Sequence, residues 1–137
     1  MSRHKVRFDQ TLLDVSYLHF RPFVERTAWR NGVRVAVPEV WPFGGATLAI
    51  AEGIEDGQPV TFASLSQCHE SDRYIKELGR ERSRGRLQAA IFRKFKNDGS
   101  FYTSGLDKIY VLPGAADVTL NELIEEIEDA TGYITRR

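Results

Sequence analysis

The sequence has little cysteine and no long apolar run. Cys68 is the single cysteine, so no intramolecular disulfide can form, and this is typical of a reducing compartment. No apolar stretch approaches the length needed to span a bilayer. The polar start, Met1-Ser2-Arg3-His4-Lys5, does not lead into the apolar segment of a secretory signal. We therefore expect a soluble protein of the cytoplasm.

The chain also lacks an excess of either charge. Its 19 basic and 19 acidic residues give a net charge of zero, which argues against a protein that coats nucleic acid by bulk charge and makes the local distribution decisive. It has no internal repeat and no linker-like segment, and its 137 residues are the usual size of one domain. We predict a single α+β domain over residues 1–137, strand-rich over 1–67 and with helices at about 71–96 and 119–131.

The apolar segments of the first half predict an antiparallel sheet of about five or six strands, with both helices packed on one face. Residues 46–52 and 59–67 flank Asp56-Gly57 and are small and apolar on both faces, as in central strands. Asn31-Gly32 leaves two interpretations open. Residues 23–30 form either a short helix or a strand that pairs with residues 33–37 across a two-residue turn.

A strongly basic helix is predicted after these strands. Ser71 is its expected N-cap, with Asp72 in the first turn. The apolar side follows a spacing of four, with small residues at its centre, and includes Ile75, Leu78, Gly79, Ser83, Leu87, Ile91 and Phe95. Gly85 weakens the helix and is a potential break, and residues 92–96 alternatively form a strand that pairs with residues 100–103.

The basic residues of this helix are the strongest functional signal in the sequence. Arg73, Arg80 and Arg84 are expected on the face opposite the apolar side, where planar guanidinium groups suit phosphate. The candidate nucleic-acid or anion-binding residues are Arg73, Lys76, Arg80, Arg82, Arg84, Arg86, Arg93 and Lys94. The competing interpretation is a solvated face held by pairs such as Glu77 with Arg73 and Glu81 with Arg84.

The last helix has the opposite character. Thr119 and Glu122 have the spacing of a capping box, and Gly132 is the expected stop. Its acidic side chains are candidates for a protein interface and include Glu122, Glu125, Glu126 and Asp129. The two oppositely charged helices either screen each other as neighbours or pair between the subunits of a homodimer.

Nothing in the sequence predicts a catalytic residue, a metal site or a cofactor. Cys68 and His69 are adjacent, and neighbouring residues of a strand point to opposite faces, which works against a Cys–His dyad. The three histidines and one cysteine show no metal-ligand spacing. An enzyme is therefore the less favoured interpretation, and no cofactor is expected.

The stretch from Cys68 to Arg80, followed by Gly85-Arg86-Leu87, resembles a pattern in small bacteriophage-encoded accessory proteins. In that pattern a strand ends in cysteine, and a helix with two Gly-Arg steps follows. Gly44-Gly45 at the start of the preceding hairpin also fits, so that the resemblance covers residues 44–87. It implies a phage or prophage accessory protein in the host cytoplasm and no catalytic residue.

Two functional hypotheses follow from the sequence. The first is a non-enzymatic binding protein whose basic helix contacts nucleic acid or a host complex that handles nucleic acid. The second is an inhibitor of host defence, or an adaptor, that acts by protein–protein contact through the basic or the acidic helix. A small enzyme and a virion component are less favoured, and a membrane partner is not expected.

Overall fold

The computed structural model describes residues 4–8, 10–96 and 108–136. These residues form nine strands and two helices. In chain order they are β1 (Lys5–Phe8), β2 (Thr11–Asp14), β3 (Ser16–Arg21), β4 (Phe23–Arg30), β5 (Val33–Val40), β6 (Phe43–Glu55), β7 (Gln58–Arg73), α1 (Lys76–Lys96), β8 (Lys108–Pro113), α2 (Ala116–Thr131) and β9 (Ile134–Arg136).

A five-stranded antiparallel sheet organises the fold. Its strand order is β8-β7-β6-β3-β9, and β1–β2 and β4–β5 form two separate two-stranded sheets. The long central pair β6–β7 closes through Asp56-Gly57, where both residues have positive φ, at 53° and 77°. This arrangement confirms the α+β class and the expectation that residues 46–52 and 59–67 are central strands.

The two helices lie on opposite faces of the sheet. Side chains alternate along a strand, and in β6 Ala49 and Ala51 belong to the same core as Leu87 of α1. Leu48 and Ile50 point the other way, into a core that includes Leu123, Ile124 and Ile127 of α2. The prediction that both helices pack on one face is therefore wrong, because the central strands are apolar on both sides and each side requires its own cover.

The start of α1 also differs from the prediction. The helix begins at Lys76 and not near Ser71, because β7 continues to Arg73, which pairs with Phe43 of β6. This pairing resumes after an irregularity at Gly44, where φ is 78°. The helix runs unbroken through Gly85 to Lys96, so the break and the strand over residues 92–96 are both excluded. Residues 100–103 lie outside the described part of the chain.

The buried side of α1 is partly as predicted. Ser83, Leu87 and Ile91 are buried, which confirms the centre of the apolar side. Ile75 precedes the helix and is 48% exposed, and Leu78 is 43% exposed, so both were wrongly assigned to the core. The side chain of Phe95 lies outside the described set.

The acidic helix is confirmed with a different beginning. α2 starts at Ala116, after Ala115, which offers no side-chain cap. Thr119 does not cap the helix and instead donates to the Ala115 carbonyl at 3.1 Å. Gly132 ends the helix as predicted, with φ of 74° and its N–H bonded to the Glu128 carbonyl.

The ambiguity at Asn31-Gly32 is settled in favour of a hairpin. Both residues have positive φ, at 52° and 75°, as a two-residue turn of type I′ requires. All eight residues of β4 pair with β5, from Phe23 with Val40 to Arg30 with Val33. The interpretation of residues 23–30 as a short helix is wrong.

Candidate functional site: an arginine cluster between the basic helix and the sheet

Arg80 and Arg84 are partly buried along the flank of α1 that faces β3. This position contradicts the expectation that they point outward, opposite the apolar side. With 100° between successive helical residues, both positions lie beside Ser83 and Leu87, which are fully buried. Their guanidinium groups therefore reach across the edge of the sheet.

Arg80 is held by a histidine of β3. Its Nε donates to His19 Nε2 at 3.3 Å. A guanidinium offers only donors, so His19 Nε2 accepts, and the proton of the neutral ring is on Nδ1. That Nδ1–H donates to the Tyr74 hydroxyl at 2.6 Å. The three side chains form a directed chain of hydrogen bonds that fixes the orientation of Arg80.

Tyr74 anchors this chain in the sheet. Its buried hydroxyl lies 2.6 Å from Thr47 Oγ1 and donates to the Ala46 carbonyl at 3.1 Å. Burial raises the pKa of the Tyr74 hydroxyl above its ordinary value, which keeps it protonated. The guanidinium of Arg21 stacks over the Tyr74 ring, 4.1 Å from its centroid, in a cation–π contact.

Arg84 repeats the arrangement one turn further along α1. Its NH1 lies 2.5 Å from His4 Nδ1 and donates to the Tyr17 hydroxyl at 3.2 Å. The His4 and Tyr17 side chains also contact each other, with 2.6 Å between Nδ1 and the hydroxyl. Arg80 lies over the same Tyr17 ring, 5.6 Å from its centroid. Tyr17 therefore contacts both arginines, Arg84 through its hydroxyl and Arg80 through its ring.

We call Arg21, Arg80 and Arg84 the arginine cluster, because His19 and Tyr74 link Arg21 to Arg80 and Tyr17 links Arg80 to Arg84. Arg21 NH2 donates to the Trp41 carbonyl at 3.0 Å. Its Nε is buried and has no hydrogen-bond partner among the described residues. The ion pairs of the described residues include Lys5 with Asp14 and Arg26 with Glu39. No carboxylate of the described part of the chain pairs with any member of the cluster.

The electrostatics of His19 follow from this arrangement. Burial, followed by the positive charges of Arg80, Lys76 and Arg21 in that order of size, lowers the pKa of its imidazole from 6.5 to about 4. His19 is therefore neutral at physiological pH. It accepts a hydrogen bond from Arg80 without cancelling any of the positive charge.

The other sequence-predicted basic residues are dispersed. Arg73 lies at the end of β7, and Arg82 is on the opposite flank of α1 from Arg80 and Arg84. Both line a separate cleft of about 210 Å³. Lys76 is exposed in the first turn of α1 and close enough to affect His19. Arg86 is partly buried, and the side chains of Arg93 and Lys94 lie outside the described set.

The pairs expected for a solvated helix face do not form. Among the described residues, Glu77 makes no ion pair with Arg73, and Glu81 makes none with Arg84. Arg73 is in a strand and not one turn before Glu77, and Arg84 is turned toward His4. The hydrogen-bond partners of Arg80 and Arg84 therefore come from β3 and from His4, directly before β1, and not from the helix.

His4, Tyr17, His19 and Arg21 are the site residues that sequence reasoning missed. Tyr17, His19 and Arg21 alternate along β3 and so share the face that α1 covers. That spacing was the available signal. The alternation places Tyr17, His19 and Arg21 on one face of β3, although the sequence alone does not show which helix covers that face.

The side chains of Cys68 and His69 have separate partners. Cys68 Sγ contacts backbone carbonyls, including that of Asp72 at 3.4 Å, and His69 Nδ1 lies 2.7 Å from Ser71 Oγ. The described residues do not contain a group of three or more His, Cys, Asp or Glu side chains that could hold a metal ion.

The predicted acidic residues are exposed on α2. Glu122, Glu125, Glu126 and Asp129 all face solvent, and α2 carries no basic residue. Because α2 covers the other face of the sheet, it does not screen α1 as a neighbour. Arg80 and Arg84 of α1 and the exposed carboxylates of α2 therefore lie on opposite faces of the sheet.

Compared with known proteins, the sequence matches no family model, no curated protein and no solved structure. In the part of the chain that the structure describes, no helix is both long and apolar enough to cross a membrane.

Proposed function

We propose that the protein is a non-enzymatic nucleic-acid-binding protein whose arginine cluster contacts backbone phosphates. One observation carries the proposal: Arg21, Arg80 and Arg84 are partly buried and held by partners that carry no negative charge, with no carboxylate of the described chain paired to them. Partly desolvated cations without a counter-charge are costly. A bound polyanion supplies that counter-charge.

The mode of anchoring supports phosphate recognition. Arg80 uses Nε for His19, and Arg84 uses NH1 for His4 and Tyr17. Each guanidinium has further N–H donors and keeps its full charge. Because the side chains are already oriented, less rotamer entropy is lost when they bind a ligand. A planar fork held in this way suits two-point contact with a phosphate group.

The opposite charges of the two faces support an oriented complex. The net charge of zero conceals an arginine-bearing face at α1 and an acidic face at α2. A polyanion is attracted to the first and repelled by the second. The resemblance to small bacteriophage-encoded accessory proteins extends the proposal to a phage-encoded factor that acts on nucleic acid, or on a host complex that handles it, in the host cytoplasm.

The experiment is a salt titration of binding to labelled oligonucleotides of mixed sequence. We expect affinity to fall linearly with salt on logarithmic axes, because each phosphate contact releases counterions. The double variant Arg80→Gln/Arg84→Gln should reduce the slope by about 2, at about 1 per lost phosphate contact. Arg73→Gln/Arg82→Gln is the matched control, since it removes two charges that lie outside the arginine cluster. Equal slopes for the wild type and the double variant would overturn the proposal.

The exposed acidic face of α2 supports a second candidate function, direct contact with a basic host protein. Its carboxylates are all free of basic neighbours on the same helix. Capture from host lysate with and without nuclease treatment separates the two functions. A partner that survives nuclease and is lost when Glu122, Glu125, Glu126 and Asp129 are changed to Gln favours the adaptor or inhibitor function. A partner that disappears with nuclease favours nucleic-acid binding.

A further inference from the structure

The β4–β5 hairpin projects as an arm from the body of the protein. Its strands pair with each other over their full length and contact the rest of the described chain only slightly. The arm is rooted where the Trp41 N–H donates to the Pro22 carbonyl at 2.9 Å. A two-stranded hairpin is only marginally stable unless it packs against another surface. Because this arm presents large side chains to solvent, we consider it a candidate contact surface for a ligand.

The outer half of the arm is cationic and aromatic. Trp29 is 71% exposed beside the turn and pairs across the strands with Arg34. Arg30 is the next residue, and no acidic residue occurs in the sequence between Glu25 and Glu39. The one arginine of the arm that does have a carboxylate partner is nearer the root, where Arg26 Nε lies 3.4 Å from Glu39. The charge at the tip is thus complementary to phosphate.

The root of the arm joins the arginine cluster. Arg21 lies in β3, directly before Pro22, and donates to the carbonyl of Trp41 on the other side of the root. Arg21 therefore connects the arginine cluster to the base of the arm, beside a cleft that Glu70 lines together with Pro22 and Trp41. This continuity selects the same polyanion as occupant of both surfaces.

The dimensions of the arm select the form of the polyanion. Each strand has eight residues, which gives the arm a length of about 26 Å. The major groove of B-form DNA admits a two-stranded antiparallel ribbon. The major groove of A-form RNA is too deep and narrow for side chains to read. A ribbon with arginines and tryptophan at its tip therefore fits duplex DNA and not duplex RNA.

We propose that the β4–β5 arm lies in the major groove of double-stranded DNA held on the arginine cluster, with Trp29, Arg30 and Arg34 in contact with the duplex. This inference rests on the proposed function and adds the substrate class to it. Trp29 packs against the groove, and the two arginines contact phosphates or base edges. Nucleic acid that lacks a B-form major groove contacts the arginine cluster and does not contact the arm.

The experiment compares duplex DNA with duplex RNA of the same sequence. Full-length protein carrying Trp41→Phe leaves Trp29 as the single tryptophan, so its emission reports on the arm directly. We expect a change of emission on adding DNA and at least ten-fold tighter binding of DNA than of RNA. Trp29→Ala should weaken DNA binding roughly ten-fold, the effect expected when a large apolar side chain loses its burial against the groove.

The charge contribution has a matched control on the same protein. Arg30→Gln/Arg34→Gln should reduce the salt slope for DNA by about 2 and leave RNA binding unchanged. Arg73→Gln/Arg82→Gln removes two charges from the separate cleft and should leave DNA binding within two-fold of the wild type. Thermal unfolding of each variant confirms that the fold is retained.

Three outcomes would overturn the inference. In the first, both duplexes bind equally well, and Trp29→Ala and Arg30→Gln/Arg34→Gln behave like the control pair. This outcome would exclude contact between the arm and DNA and would leave the proposed function unaffected. Loss of self-association in Trp29→Ala, measured by sedimentation, with DNA binding unchanged would assign the arm to a second copy of the chain. Failure of the wild type to bind either duplex at low salt would overturn both the inference and the proposed function.

Discussion

Gly79 of α1 lies directly against Thr47 of β6. A Cβ at position 79 would overlap Thr47 Oγ1, and that oxygen contacts the Tyr74 hydroxyl at 2.6 Å. The absence of a side chain lets α1 approach the sheet closely enough for Arg80, the next residue, to reach His19. The close contact thus links helix packing to the arginine cluster.

Replacing Gly79 with alanine should destabilise the protein. The added methyl group has to displace Thr47 in a fully buried position, which we expect to cost about 1–3 kcal/mol. Gly85→Ala is the matched control, since its Cβ meets no atom within 4 Å. That control should gain up to about 1 kcal/mol from helix propensity. Urea unfolding of the two variants checks the difference, and equal effects would contradict the close contact.

The core assignment of α1 is tested by two leucines. Leu87 is fully buried and Leu78 is 43% exposed. Leu87→Ala should lower the free energy of unfolding by about 2–5 kcal/mol. Leu78→Ala should change it by no more than about 0.5 kcal/mol. A larger loss for Leu78 would show that the apolar side read from the sequence was correct at that position.

The Tyr74 hydroxyl should stabilise the fold by joining the helix flank to the sheet. Tyr74→Phe removes the partner of Thr47 and His19, and we expect a loss of about 1–3 kcal/mol because buried polar groups are left unpaired. Tyr110→Phe is the control, because the Tyr110 hydroxyl has no hydrogen bond within the described residues. Thermal unfolding of both variants measures the contrast, and equal melting temperatures would exclude the role assigned to Tyr74.

Stability should fall in mild acid because of His19. Burial and the charges of Arg80, Lys76 and Arg21 lower the pKa of His19 to about 4 in the folded state, against about 6.5 in the unfolded chain. Between these two pKa values the unfolded state binds more protons than the folded state, so the free energy of unfolding rises with pH. The protein therefore becomes less stable as the pH falls from about 6.5 toward 4. His19→Gln should flatten this dependence in urea titrations from pH 4 to pH 8. An unchanged profile would contradict the lowered pKa.

Much of the local structure could be predicted from sequence. The turn at Asp56-Gly57 carries residues that adopt positive φ, and Gly132 ends α2 for the same reason. At Asn31-Gly32 the same signal left a hairpin and a short helix open, and the strand pairing decides for the hairpin. The stripe of Leu123, Ile124 and Ile127 fixes the buried side of that helix. These features depend on neighbours in the chain, which the sequence shows directly.

The features that could not be predicted depend on contacts between residues that are far apart in the sequence. The start of α1 was placed too early because the strand pairing of Arg73 with Phe43 overrides the local helix signal of Ser71-Asp72. The partners of Arg80 and Arg84 lie 61 and 80 residues away in the sequence. The sequence therefore singled out Arg80 and Arg84 as candidate site residues. The prediction that their side chains point away from the sheet was wrong.

The side-chain signals of the arginines test the central claim most directly. In a protein labelled with ¹⁵N, the Nε–Hε resonances of Arg80, Arg84 and Arg82 are followed by NMR as a short oligonucleotide is added. We expect the Arg80 and Arg84 resonances to shift in a saturable way that added salt reverses, while that of Arg82 remains in place. Saturable binding that shifts Arg82 and leaves Arg80 and Arg84 unmoved would contradict the assignment of the arginine cluster as the nucleic-acid interface.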